Sequence, residues 1–133
     1  MLSEKEVLAL HPLQLAYVGD AVYTLLVRVH LIADNKKLKS THTKATSMVC
    51  AASQAKYLMG LLPFLQEEEL DIVRKGRNAQ TKHALPKSAT PMEYTYATAL
   101  ETLIGYLFLL NRDDRLHELF QMIAQINTED AHA

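Results

Sequence analysis

The sequence has no tryptophan, a single cysteine, four glycines and four prolines in 133 residues. One cysteine excludes an internal disulfide and a thiolate metal cluster, and it is typical of a reducing compartment. Because Cys50 lies in the apolar run 48–52, we expect a small buried side chain rather than a catalytic thiol. The scarcity of glycine and proline, with 49% hydrophobic residues, favours a compact globular chain over a disordered one.

The alternating pattern of β-strands is also missing, whereas apolar residues recur at helical spacing along most of the chain. We therefore predict an all-α fold, in which residues 1–133 form one compact domain of about six or seven helices. The N-terminal residues are acidic where a signal peptide would be basic, and no uncharged apolar run is long enough to span a bilayer. These features predict a cytoplasmic protein without membrane contact.

Capping residues and helix breakers predict where the helices begin and end. Ser3 with Glu6, and Thr90 with Glu93, have the spacing of capping boxes, and Pro12 suits the first turn of a helix. The predicted helices cover residues 3–11, 12–33, 40–59, 67–75, 90–110 and a last segment that starts at 111 or 113. Between the fourth and fifth of these, residues 76–89 lack apolar periodicity and are predicted to form a loop.

Negative charge is absent from two long intervals, residues 35–66 and 72–92. Each interval holds five of the fourteen Lys and Arg residues, although the formal net charge of the chain is −1. Basic segments of this kind are typical of surfaces that bind a polyanion, and they also occur as ordinary solubilising residues. The two intervals are therefore candidate nucleic-acid contacts.

Asp20 and Glu101 are the only acidic residues embedded in strongly apolar helical segments, and each has a glycine nearby, Gly19 and Gly105. Glycine is costly inside a helix, so Gly19 suggests that another backbone or a ligand approaches closely beside Asp20. If the two helices pack, the carboxylates would repel one another unless one is protonated or a cation lies between them. The alternative is that each acid pairs with a nearby Arg or Lys or accepts backbone hydrogen bonds.

Two carboxylates with room for water are suited to Mg²⁺ better than to zinc, because Mg²⁺ prefers oxygen ligands and retains part of its hydration shell. The six histidines show neither an i, i+4 pair nor an HExxH spacing, so we assign none to a metal. The residues themselves thus predict Asp20 and Glu101 as a candidate magnesium site.

Residues 15–22, LAYVGDAV, resemble the signature helix of the ribonuclease III family, and residues 99–106, ALETLIGY, resemble its second acidic helix. The three residues Arg-Asn-Ala that begin at Arg77 most resemble the Mini-ribonuclease III branch. Members of this branch lack a double-stranded-RNA-binding domain. The resemblance implies a ribonuclease III endonuclease-domain fold and a homodimeric, Mg²⁺-dependent enzyme. Such an enzyme cuts double-stranded RNA to 5′-phosphate and 3′-hydroxyl ends, and the branch suggests large-subunit ribosomal RNA precursors as its target.

The resemblance implies that Asp20 and Glu101 are catalytic and hold the metal. The larger enzymes of the family carry two further acids, where this chain has Ala16 and Thr98. A metal with fewer charged ligands would keep more waters and would rely on phosphate oxygens of the RNA.

A-form RNA is recognised mainly through its phosphates and 2′-hydroxyls, so recognition is expected from the basic segments. The predicted contacts in the loop are Arg77, Asn78, Gln80, Lys82 and Lys87. Those in the first basic segment are Lys36, Lys37, Lys39 and Lys44.

Two alternatives to an active nuclease stay open at this point. Ala16 and Thr98 are compatible with a catalytically inactive module of the same fold that binds double-stranded RNA. A helical protein-interaction domain is also possible, but it would leave both isolated acids and the basic loop without a cause.

Overall fold

The computed structural model describes residues 1–34, 38–79 and 89–131, and for residues 34, 38, 39 and 131 the backbone alone. Seven α-helices and no strand occur in these residues, which confirms the predicted all-α fold. Their bounds are α1 Glu4–Leu8, α2 Pro12–Asp34, α3 Leu38–Val49, α4 Ala51–Leu61, α5 Glu67–Asn78, α6 Pro91–Leu109 and α7 Asp113–Ala131. A 3₁₀ turn, Leu62–Phe64, follows α4 directly.

Both predicted capping boxes form. The Ser3 hydroxyl accepts from the Glu6 amide at 3.1 Å, and the Ser3 amide donates to the Glu6 carboxylate at 2.9 Å. Thr90 and Glu93 make the same reciprocal pair at 3.1 Å and 3.0 Å, with Pro91 in the first turn of α6. Since these bonds satisfy amides that have no partner inside the helix, they fix the starts of α1 and α6.

Three predictions about the middle of the chain are wrong. The predicted helix 40–59 is two helices, because the chain is extended at Cys50, and the second continues through Gly60 to Leu61. Cys50 is exposed rather than buried, because it occupies the turn between α3 and α4. Helix α5 continues past Gly76 to Asn78, so the segment predicted as a loop begins later than expected.

Helices α2 and α6 contact each other backbone to backbone at two glycines. A Cβ atom at Gly19 would lie 2.6 Å from the carbonyl carbon of Glu101, and one at Gly105 would lie 2.9 Å from the carbonyl carbon of Leu15. Both distances are too short for a side chain, so the contact requires glycine on each helix. The expected close approach at Gly19 is therefore confirmed, and the approaching element is α6.

Helix α6 is the centre of the fold. It packs against α2, α4 and α5 along most of its length and also contacts α1 and α7. Every residue from Ala97 to Leu107 is buried except Glu101. The burial of the central helix is thus interrupted at one of the two predicted catalytic acids.

Within the described residues, the segment Pro12–Ala33 of α2 meets the length and composition of a membrane span, with a mean hydropathy of 1.4. Core helices of soluble proteins meet the same criteria. Here the segment packs against α6 and carries two charged residues, Asp20 and Arg28. The absence of membrane contact stays a prediction.

Candidate active site

The site is built where α2 and α6 touch. Gly19 lets the backbone of α2 reach that of α6, and the next residue, Asp20, brings its carboxyl group within hydrogen-bonding reach of Glu101. Burial, the hydrogen bond with Asp20 and the negative charge of Asp20 together raise the pKa of Glu101 to about 9. Without a cation, Glu101 is therefore protonated at neutral pH.

The exposure of the two acids differs from expectation. Asp20 is exposed, whereas the sequence predicted an acid enclosed by apolar residues. The reason is that one face of α2 packs on α6 while the other faces outward, and Asp20 lies at the boundary between them. Glu101 is half-buried, so the pair forms a shallow site with one acid at the surface and one below it.

The donor set fits a hydrated Mg²⁺ ion. Two carboxylates that would otherwise repel each other offer hard oxygen ligands, and a cation between them would replace the proton on Glu101. Among the described residues, no third His, Cys, Asp or Glu joins them to form a metal-binding group. Water and substrate oxygens would therefore complete the coordination, as Mg²⁺ commonly requires.

The positions where the larger enzymes carry further acids contain side chains that are already packed. Ala16 is 8% exposed and Thr98 is 9% exposed. The Thr98 hydroxyl donates to the carbonyl of Tyr94 at 3.0 Å, one turn earlier in α6. Neither position supplies a charged ligand.

A buried tyrosine links this site to the neighbouring helix α3. Tyr23 follows Asp20 by three residues, is 0% exposed, and donates its hydroxyl to the carbonyl of Met48 at 2.7 Å. Burial raises the pKa of Tyr23 far above its ordinary value, and the charge of Glu101 adds to that increase. Tyr23 therefore lies within electrostatic range of the acid pair.

A groove of about 600 Å³ adjoins Asp20 and is lined mainly by apolar side chains, among them Tyr17, Leu25 and Phe108. Tyr17, Ala21, Leu25 and Val29 follow each other at four-residue spacing and are all exposed, so they form a stripe along α2. Tyr17 is 84% exposed and Leu25 is 60% exposed. We call these four residues the α2 stripe, and it begins beside the acid pair.

The structure places two of the predicted loop residues near the site. Arg77 and Asn78 are exposed on the last turn of α5. Their neighbour Gly76 packs against α6, because a Cβ atom there would lie 2.7 Å from the Cβ of Thr102 and 3.0 Å from the Cα of Ala99. The end of α5 is thus fixed next to the turn of α6 that carries Glu101.

The other predicted nucleic-acid contacts are described only in part. Lys44 is exposed on α3, and Lys39 lies on the same helix. The remaining predicted contacts, Gln80, Lys82, Lys87, Lys36 and Lys37, lie outside the described residues.

A second acidic cluster was not predicted as such. Three glutamates open α5, and one of them, Glu69, is 1% exposed and accepts from the Arg115 guanidinium at 2.7 Å and 2.8 Å. Its neighbour Glu68 accepts hydrogen bonds from Tyr106 and, at 3.0 Å, from Arg112. No local pattern indicates contacts between residues more than thirty positions apart, so the sequence offered no signal for this cluster.

Comparison with known proteins agrees with the predicted family. A model of the Ribonuclease III domain matches residues 13–112. The chain is 45% identical over 118 residues to a Mini-ribonuclease 3 of Symbiobacterium thermophilum, covering 88% of this chain and 90% of the relative. It is 34% identical over 131 residues to a Mini-ribonuclease 3 of Clostridium tetani, covering 97% and 86%.

A solved structure agrees as well. A crystal structure of a Fusobacterium nucleatum protein matches with a TM-score of 0.79 and 27% identity, covering 86% of this chain and 93% of that one. The domain match spans most of the chain, and the relatives are similar over most of their own length. On this basis the chain belongs to the ribonuclease III family, among the Mini-ribonuclease III proteins.

Proposed function

We propose that this protein is a Mg²⁺-dependent endoribonuclease that cuts double-stranded RNA and leaves 5′-phosphate and 3′-hydroxyl ends. The observation that carries the proposal is the meeting of Asp20 and Glu101, two carboxyl groups within hydrogen-bonding reach at the only opening between Ala97 and Leu107 of α6. The family membership supports the reaction class.

Asp20 and Glu101 would hold the ion. When bound, Mg²⁺ supplies positive charge that activates a water molecule and neutralises charge developing on the phosphate. Glu101, half-buried and fixed by the packing of α6, gives the site a rigid inner ligand, while Asp20 lies at the surface where RNA arrives. No side-chain nucleophile is needed for this hydrolysis.

Asp20→Asn tests the proposal directly. The substitution keeps the size of the side chain and removes the charge that the ion requires, so we expect Mg²⁺-dependent cleavage of labelled duplex RNA to fall by at least about 100-fold. Duplex affinity, measured in Ca²⁺ or without metal, should change little. The matched control is Asp114→Asn, an exposed acid in the first turn of α7 that should cut at the parental rate. An Asp20→Asn protein that also cuts at the parental rate would sink the assignment.

The same cleavage assay distinguishes an active nuclease from an inactive module that only binds RNA. Ala16 and the hydrogen-bonded Thr98 favour that alternative, because two acids of the larger enzymes are missing. An inactive module would bind duplex RNA with the usual salt dependence and leave it intact with Mg²⁺ at any concentration. We expect cutting, with a Mg²⁺ requirement in the millimolar range because few charged ligands hold the ion.

Recognition of the RNA is proposed to involve Arg77 and Asn78 at the end of α5 and the lysines of both basic segments. Arg77→Ala removes one exposed cation next to the site, so we expect weaker binding to all duplex sequences. The slope of log affinity against log salt concentration should fall by about 1, as expected for the loss of one phosphate contact. Arg74→Ala, one turn earlier and paired with Asp71, serves as the control. Unchanged affinity and salt dependence in Arg77→Ala would remove that residue from the interface.

We further propose that two copies associate through the α2 stripe. Exposed apolar residues at four-residue spacing match the contact face of a helix, and a two-fold pair would bury the stripes and present one acid pair to each strand of a duplex. The groove of about 600 Å³ beside the stripe would receive side chains of the second copy.

Leu25→Glu should convert the dimer into monomers, because it places a charge in the middle of the buried stripe. Light scattering after gel filtration measures the mass. Leu70→Glu on α5 is the control, since Leu70 is also exposed, at 41%, but lies away from the stripe. A parental protein that elutes as a monomer at micromolar concentration would contradict the dimer.

The natural substrate is proposed to be a precursor of large-subunit ribosomal RNA, processed in the cytoplasm. This proposal rests on the similarity to Mini-ribonuclease 3 proteins. Precursor accumulation in cells lacking the protein, restored by the parental gene but not by Asp20→Asn, is the result that we expect.

A further inference from the structure

Helix α3 is attached to the rest of the fold along a narrow face. Of its described side chains, residues 40–49, only Thr41 and Met48 are buried, and Ala45 between them is half-buried. The rest of this helix is largely exposed and polar, and it carries Lys44 toward solvent. Met48, at 0% exposure, is the largest anchor of α3 in the core.

The Tyr23 hydroxyl holds that anchor to the helix of the acid pair. Its hydrogen bond to the Met48 carbonyl is 2.7 Å long, and this carbonyl lies in the last turn of α3, where helix carbonyls lack partners of their own. The Tyr23 ring cannot shift easily, because it is fully buried and packs edge-on against Phe120 with ring centres 6.3 Å apart.

Short steps therefore connect the acid pair with Lys44, an exposed cation on α3. Asp20 lies one turn before Tyr23 on α2, and Lys44 lies one turn before Met48 on α3. The hydrogen bond from Tyr23 to the Met48 carbonyl joins the two turns. A hydrogen bond of this kind fixes orientation, which apolar packing alone does not.

We propose that Tyr23 is a positioning residue that sets the distance between the acid pair and Lys44 of α3, and so sets affinity for RNA rather than the rate of the chemical step. The proposal rests on the proposed function as an RNA-cutting enzyme. In Tyr23→Phe the ring keeps its packing and only the hydroxyl is lost, so α3 stays packed through Thr41 and Met48 but loses this hydrogen bond to α2.

The test compares kcat and KM for duplex RNA with Mg²⁺ at several salt concentrations. We expect Tyr23→Phe to raise KM by about three- to tenfold, to leave kcat within about twofold, and to weaken the salt dependence. Tyr57→Phe is the matched control: the Tyr57 hydroxyl is also buried and bonds Asn127 at 3.1 Å, but it joins α4 to α7. That control should lose thermal stability without a change in KM.

A second variant makes the test specific. Lys44→Ala should raise KM in the parental protein and have a smaller effect in Tyr23→Phe, because the lysine is already misplaced there. Equal KM changes in the two tyrosine variants, or a fall in kcat at constant KM, would overturn the positioning role. A parental protein that cuts RNA while Tyr23→Phe behaves identically overturns this inference alone, whereas a parental protein that neither binds nor cuts duplex RNA overturns the proposed function as well.

Discussion

Glu69 is buried and Glu101 is half-buried, and the pKa values of the two carboxyl groups move in opposite directions. Burial raises the pKa of Glu69, but the hydrogen bonds and positive charge of Arg115 outweigh it and hold the pKa below its ordinary value. At Glu101, burial and the neighbouring Asp20 act in the same direction and raise the pKa to about 9. The sign of the neighbour, more than burial, separates the two sites.

The difference distinguishes a completed ion pair from an incomplete one. Glu69 has its cation within the fold, and Arg115 also donates to the Phe64 carbonyl at 2.9 Å, so this pair is a structural link between α5 and α7. At the acid pair, no cation among the described side chains contributes to the pKa of Glu101. Grooves of about 680 Å³ and 730 Å³ beside α5 exceed the one at Asp20, but paired charges line them.

The largest expected effect comes from breaking the completed pair. Arg115→Ala leaves the carboxylate of Glu69 buried without its cation, which typically costs about 3–5 kcal/mol of unfolding free energy. Urea unfolding followed by circular dichroism measures the loss. Arg74→Ala, which removes an exposed cation from its pair with Asp71, should cost far less, because solvent screens that pair. Similar losses in both variants would mean that the Arg115 link is an ordinary surface pair.

A smaller effect is expected from pH, and its sign differs between the two sites. Below pH 4.5 Glu101 is protonated whether the chain is folded or unfolded. Between pH 4.5 and about 9 the unfolded chain releases this proton and the folded protein keeps it, so metal-free stability should fall as pH rises through this range. Glu69 stabilises the fold above pH 4.5, and its contribution is lost as pH falls through its lowered pKa.

Calorimetry in EDTA checks this behaviour. The midpoint of thermal unfolding should be highest near pH 5 and should decline toward pH 9, and Mg²⁺ added at pH 8 should restore part of the decline. A midpoint that rises steadily from pH 5 to pH 9 would contradict a proton held between Asp20 and Glu101.

Glu101→Gln should remove the alkaline decline, because the amide stays neutral and keeps a hydrogen bond to Asp20. We expect a gain of about 1–2 kcal/mol at pH 8 without metal, together with loss of cleavage, since catalytic sites commonly sacrifice stability for function. Glu67→Gln, an exposed neutralisation on α5, is the control and should change stability by less than about 0.5 kcal/mol. A destabilised Glu101→Gln protein at pH 8 would show that Glu101 is charged and well satisfied in the metal-free fold.

The acid pair could be predicted from the sequence because the signals for it are local to each helix. Asp20 and Glu101 stand alone in apolar surroundings, and each has a glycine beside it on the contact face, Gly19 and Gly105. Capping boxes are equally local, which is why the starts of α1 and α6 were predictable. Such signals are complete within one or two turns of a helix.

Features that depend on distant contacts were not predictable. The break between α3 and α4 is stabilised in part by Tyr23, 25 positions before Met48, which donates its hydroxyl to the Met48 carbonyl in the last turn of α3. Glu69 looks like an ordinary charge at the start of a helix until Arg115, 46 positions later, is placed beside it. Periodicity contains no information about either contact.

The smallest expected effect concerns Glu68. Unlike Glu69 it is exposed, and unlike Glu101 it accepts hydrogen bonds from neighbouring donors. Hydrogen bonds from Tyr106 and Arg112 lower its pKa, and the Arg112 guanidinium also lies over the Tyr106 ring at 5.4 Å. Tyr106→Phe removes one of the two donors while the ring and Arg112 remain, so we expect a loss of about 0.5–1 kcal/mol at pH 7. The loss should shrink as the pH falls through the lowered pKa of Glu68 and the carboxylate becomes protonated. If Tyr106→Phe instead cost as much stability as Arg115→Ala, solvent exposure would not weaken the interactions of these carboxylates. The contrast between Glu69 and Glu101 would then have to be explained by geometry rather than by the charge of the neighbour.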